Sequence, residues 1–111
     1  MKALAIMLAA AAALGLATTA SGRGNPESGK AKAAQVCAAC HGADGAKPSA
    51  PDQPILAGQH YDYLVQALSD YKRGNRSNAI MKGFAASLSK KDIEDLAAWF
   101  ASRKSALHFQ R

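Results

Sequence analysis

The sequence predicts an all-α domain of three to four short helices joined by long loops. Three observations lead there. No segment alternates apolar and polar residues over a strand's length. Two segments repeat apolar residues at the spacing of one helix face: Tyr61, Leu64, Leu68 and Tyr71, then Ile93, Leu96, Ala97 and Phe100. Around them lie proline- and glycine-bearing stretches with neither period, the longest being DGAKPSAPDQPILAG.

Residues 1–20, MKALAIMLAAAAALGLATTA, are expected to stand outside the domain. Lys2 supplies a positive n-region, Ala3 to Ala17 is apolar apart from Gly15, and Thr18-Thr19-Ala20 offers small residues for cleavage, as in a secretory signal peptide. The run is alanine-rich and short for a membrane span of about 20 strongly apolar residues. The domain itself is expected over residues 21–111.

Asn25-Pro26-Glu27 begins the first helix, with Asn25 as cap, Pro26 as first helical residue and Glu27 at the positive end of the dipole. That helix is expected to run to about Cys40 and stop at His41-Gly42. The loop that follows is long for so small a domain, and such loops usually wrap something. A second helix is expected over Tyr61 to Lys72, ended by Gly74. NRSNAIMKGFAAS reads as another loop, with one helical turn around Gly83 to Ala86. Ser89, with Asp92 three residues on, makes a capping-box start for the last helix. Cations beyond Ser102 suit that helix's C-terminus.

A chain of 111 residues holds one domain and not two. Loss of Lys2 with the leader lowers the formal charge from +6 to +5. A mildly basic exported chain suits an acidic protein partner or an anionic membrane surface, although solubility alone also accounts for it. The lysines and arginines are scattered, without interleaved aromatics, which argues against nucleic acid. Roughly 90 mature residues in short helices and extended loops give only a modest core. A large apolar object in the middle is therefore expected.

VCAACHGADG supplies a reason for one. In a helical turn Cys37 and Cys40 project to one face, with His41 beside the row of Cys37. Thioether bonds from both sulfurs would clamp a haem there, and His41 would reach its iron. C-x-x-C-H is the attachment pattern of c-type haem. It also consumes both cysteines of an exported chain, where free thiols do not persist. Structural zinc takes four ligands, usually two cysteine pairs or cysteines with paired histidines, and outside the motif only the isolated, unpaired His60 and His108 are available. A thioredoxin-like pair would need a preceding strand. A bare disulfide would need no histidine.

The second axial position separates two functions. A second strong ligand makes an electron carrier, whereas an open face makes a ligand binder or peroxidase-like protein. Met1 and Met7 lie in the leader, so Met81 is the single thioether of the mature domain. From a loop it is expected to serve as that ligand, against the competing role of core filler. His60 and His108 are the rival ligands and otherwise surface residues.

With these residues in hand, the chain resembles the class I cytochromes c. It is similar to the small soluble single-haem bacterial members and to one half of their two-haem relatives. The resemblance spans Gly29 to Phe100. It rests on GKAKAAQVCAACHGADG, on PILAGQHYDYLVQAL with YKRGNRSNAIM, and on MKGFAASLSKKDIEDLAAWFAS. It implies the cytochrome c fold, wrapped around one covalently attached haem c. Cys37 and Cys40 would be the attachments, and His41 and Met81 the iron ligands. Pro54 would offer its carbonyl to the His41 imidazole, a bond that fixes ring orientation and basicity. Gly29 would be the small residue where the first and last helices cross and Trp99 the aromatic of the last helix, with Arg76 and Asn78 as loop anchors or propionate neighbours. Two positions depart from the pattern: Ala33 replaces a frequent aromatic, and Phe84 replaces a frequent second methionine. The implied function is a periplasmic carrier of single electrons and not an enzyme. Its partners would be redox proteins (an oxidase, a quinol-oxidising complex or a dehydrogenase), with no small-molecule substrate.

Overall fold

The computed structural model describes residues 23–105, so the expected leader over residues 1–20 and His108 lie outside the described residues. Among these residues every regular element is a helix: α1 (Pro26–Val36), α2 (Ala38–His41), α3 (Tyr61–Arg73), α4 (Ala79–Ala86) and α5 (Lys90–Ala101). None of them is long and apolar enough to cross a membrane.

Local signals set most boundaries. Asn25 Oδ1 accepts from the backbone N–H groups of Glu27 and Ser28 at 2.9 and 3.0 Å, which satisfies two of the donors a helix start leaves unpaired. Gly74 ends α3 in the left-handed region at φ 82°, its N–H returning to the carbonyls of Asp70 and Tyr71. Ser89 and Asp92 form both bonds of the capping box, at 3.0 and 2.9 Å, so the shorter aspartate suffices where glutamate is usual.

Two expectations are corrected. The first helix does not run through to Cys40. It ends at Val36, Cys37 departs to φ −116°, and α2 is a separate turn. The Cys37 carbonyl accepts from both Cys40 and His41, which tightens that turn on itself. Met81 is not in a loop but is the third residue of α4, because Asn78 caps a full eight-residue helix there.

The domain is organised by α1 crossing α5, with α3 packed on α5 and α4 on α3. Gly29 makes the crossing possible: a Cβ there would lie 1.9 Å from the Asp95 carbonyl oxygen and 2.9 Å from Trp99 Cβ. Ala33 is fully buried at the same interface. The buried Asp95 carboxylate accepts from Asn25 N–H at 2.7 Å and pairs with Lys91, which ties the head of α1 to α5. Ala33, Leu64, Leu88, Ile93, Leu96, Ala97, Trp99 and Phe100 form the core. Among the described residues only Phe100 and Leu96 are large side chains with essentially no exposure. At about 1.5–3 kcal/mol per buried large side chain, so small a cluster is a thin source of stability.

Candidate haem site

The site is assembled from three stretches. α2 presents the motif: Cys37 and Cys40 are half-buried, unbridged thiols, and His41 is only 6% exposed. Gly42, at φ 87°, turns the chain out of α2 into the long loop. That loop folds back as a strap. Ser49 N–H bonds the Cys40 carbonyl at 2.9 Å, Leu56 N–H bonds the Gly45 carbonyl at 2.8 Å, and Gly58 N–H bonds the Phe100 carbonyl at 2.9 Å. Trp99 Nε1–H reaches the Ala43 carbonyl at 3.2 Å and pins the strap to α5. The third stretch is the end of α3, its following loop and α4.

His41 Nδ1 lies 2.9 Å from the Pro54 carbonyl oxygen. A carbonyl only accepts, so Nδ1 carries the proton and the Nε2 lone pair is left for a metal. The carbonyl is itself held in place. Gln53 Oε1 accepts from Ser49 N–H at 3.0 Å, Ser49 Oγ–H at 2.8 Å and Ala50 N–H at 3.0 Å, closing the loop just before Pro54. Motif reasoning misses Gln53, although SAPDQP does show a polar side chain among turn residues.

Between these stretches lies a cleft of about 450 Å³. Its lining includes every residue expected at the site: Cys37, Cys40, His41, Pro54 and Met81, together with Arg76 and Asn78. His60 is exposed at the head of α3 and does not line it. Val36, Ile55, Leu56, Leu68, Leu88 and Phe100 supply apolar walls. Ile80, Tyr63 and Phe84 are the large apolar side chains most exposed among the described residues, at 68, 49 and 44%, and all three line this cleft. A flat apolar macrocycle is what such a surface would cover.

The donor chemistry agrees. Burial pushes the Cys37 thiol up to about 11. A thiolate ligand or redox thiol needs a lowered value, whereas a neutral thioether suffers no such penalty. Among the described residues no three His, Cys, Asp or Glu side chains converge as a metal-ion cluster. The arrangement thus suits covalent capture of a haem with an imidazole and a thioether available to iron.

Arg76 and Asn78 have structural tasks. Arg76 Nη1 donates to Tyr63 Oη at 3.2 Å, and its guanidinium sits 4.9 Å from the Tyr71 ring centroid. That hydrogen bond raises the guanidinium's already high pKa. Asn78 Oδ1 accepts from Ile80 N–H at 3.1 Å and Met81 N–H at 3.0 Å. An Asn directly before the apolar run AIM is a readable cap signal.

The profile of the family described as Cytochrome c matches residues 26–104. The chain is 48% identical over 94 residues to cytochrome c4 of Pseudomonas aeruginosa, covering 85% of this chain and 46% of that protein. It is 40% identical to the "thiosulfate dehydrogenase electron acceptor" of Stutzerimonas stutzeri, covering 86% of this chain and 42% of that one. The crystal structure of reduced cytochrome c4 from Pseudomonas stutzeri superposes with a TM-score of 0.67 at 42% identity, over 73% of this chain and 46% of that one. The chain spans about half the length of these relatives.

Proposed function

This chain belongs to the cytochrome c family, with one motif for one covalently bound haem c, and on that premise we propose an exported carrier of single electrons with His41/Met81 ligation. Cys37 and Cys40 hold the haem through thioethers, and Pro54 orients the His41 imidazole. The observation that carries this reading is the shared apolar cleft that all five residues line. When bound, the haem iron supplies the reversible one-electron couple.

The chain's own residues supply the rest. His41 is held as the Nδ1–H tautomer by the Pro54 carbonyl, which keeps its ring orientation constant and strengthens Nε2 as a donor. Gln53 and the strap bonds resist movement of that carbonyl. Met81, as a thioether, favours the lower charge state of the metal, and the apolar walls exclude water and do the same. A rigid frame on both ligands leaves little to rearrange when charge changes.

The partners are redox proteins, and the name of the Stutzerimonas stutzeri relative makes an oxidising enzyme of the thiosulfate dehydrogenase kind one candidate donor. Contacts with them are brief and small, below about 1,200 Å². Export into the periplasm rests on the leader-like residues 1–20. The chain acts as a carrier and not as an enzyme.

Carbon monoxide added to the reduced holoprotein tests the reading. The wild type is expected to take it up slowly, and Met81→Ala at once. A wild type that binds it as fast as Met81→Ala would make the protein a ligand binder instead.

A further inference from the structure

We propose that Asn78 is the positioning residue that governs how often Met81 leaves the iron, which rests on the reading of Met81 as distal ligand. α4 is anchored unevenly. Ala85 in its last turn and Leu88 just beyond are buried, whereas Ala79, Ile80, Lys82, Gly83 and Phe84 are exposed. Met81 is half-buried, and Ile80 and Phe84 line the haem cleft, so against the protein itself the turn that carries Met81 is packed less than the helix is at Ala85. A Cβ at Gly83 would meet nothing within 4 Å, and an interior glycine loosens the helix further.

Polar contacts add to the hold that the cleft gives this turn. Asn78 Oδ1 accepts from Met81's own N–H at 3.0 Å and from Ile80 N–H at 3.1 Å. Both are among the donors that a helix start leaves without an intrahelical partner. The segment leading to Asn78 is fastened by Arg76 on Tyr63 and Tyr71. Without the Asn78 side chain, two N–H groups in the Met81 turn lose their acceptor, and the turn frays toward solvent. The fold thus places the distal ligand on a latch of two hydrogen bonds. Released, the latch would admit a small iron ligand such as an imidazole.

The test is the rate at which added imidazole binds the ferric holoprotein at saturating concentration, where departure of Met81 limits uptake. Asn78→Ala is expected to raise that rate about five-fold, which corresponds to ~1 kcal/mol, the usual size of an N-cap. Asn78→Ser retains a capping oxygen and is expected to return to near the wild-type rate. Ser89→Ala removes the cap of α5 instead. It is expected to lower the unfolding midpoint comparably and leave imidazole uptake unchanged. Equal acceleration by Ser89→Ala, or none by Asn78→Ala while Met81→Ala is fast, would overturn the role of Asn78. A wild type as fast as Met81→Ala would remove the distal-ligand reading beneath it.

Discussion

Replacing Gly29 by alanine sets two opposed effects of different size against each other. In a helix interior, alanine is favoured over glycine by about 1 kcal/mol. At this crossing the added Cβ would stand 1.9 Å from the Asp95 carbonyl oxygen, where ordinary contact begins at 3.4 Å. The obstructing atom is backbone and cannot swing aside. α1 and α5 must separate by roughly 1.5 Å, well beyond the gap at which dispersion contacts are already substantially weakened. Ala33 and Trp99 lie in that interface, and the Asn25–Asp95 hydrogen bond spans it. Overpacking costs about 1–3 kcal/mol, with backbone obstruction at the upper end, so the net loss is about 2 kcal/mol. For a domain of this size that lowers Tm by roughly 10 °C. Thermal unfolding of the holoprotein followed by circular dichroism measures it. Gly83→Ala is the matched control: its Cβ meets nothing within 4 Å, and it should gain about 0.5–1 kcal/mol. A Gly29→Ala protein melting at or above the wild type would refute the crossing argument.

Other outcomes follow from the same contacts. Gln53→Ala removes the acceptor of three hydrogen bonds beside Pro54. The weakened Pro54 carbonyl should make His41 a poorer donor and raise the reduction potential, so a redox titration showing no change or a fall would contradict the clamp. Asp92 is held below the ordinary carboxylate range, first by the Ser89 backbone N–H. A depressed folded-state value contributes stability that is complete above the unfolded pKa of about 3.9 and is lost as pH falls through the folded one. Urea unfolding should therefore show Asp92→Asn less stable near neutrality, with the difference shrinking toward pH 3; a constant difference would exclude the linkage. Electron transfer with an acidic partner should slow as salt rises past about 0.1 M, where the Debye length is about 10 Å. A rate indifferent to salt would remove electrostatic steering.

Residues close in the chain fixed what was legible from sequence. The Asn25, Ser89 and Gly74 caps, the two apolar faces and the Cys37-Cys40-His41 motif each depend on neighbours within a few positions, and short-range geometry gives such patterns one reading. Asn78 belongs to the same class, but the run after it is short and interrupted by Lys82 and Gly83, so the sequence alone does not reveal α4 or Met81's place on it. What the tertiary structure decided depends on atoms far apart in sequence. Asn25 meets Asp95 across 70 residues, Trp99 meets Ala43 across 56, and His41 meets Pro54 across 13. No periodicity encodes those pairings, since they exist only once α1 has crossed α5 and the strap has closed. The sequence by itself names the groups that can bind a haem. Only chain closure brings the imidazole, its carbonyl partner and the thioether to one cleft, because their relative positions are set by long-range packing.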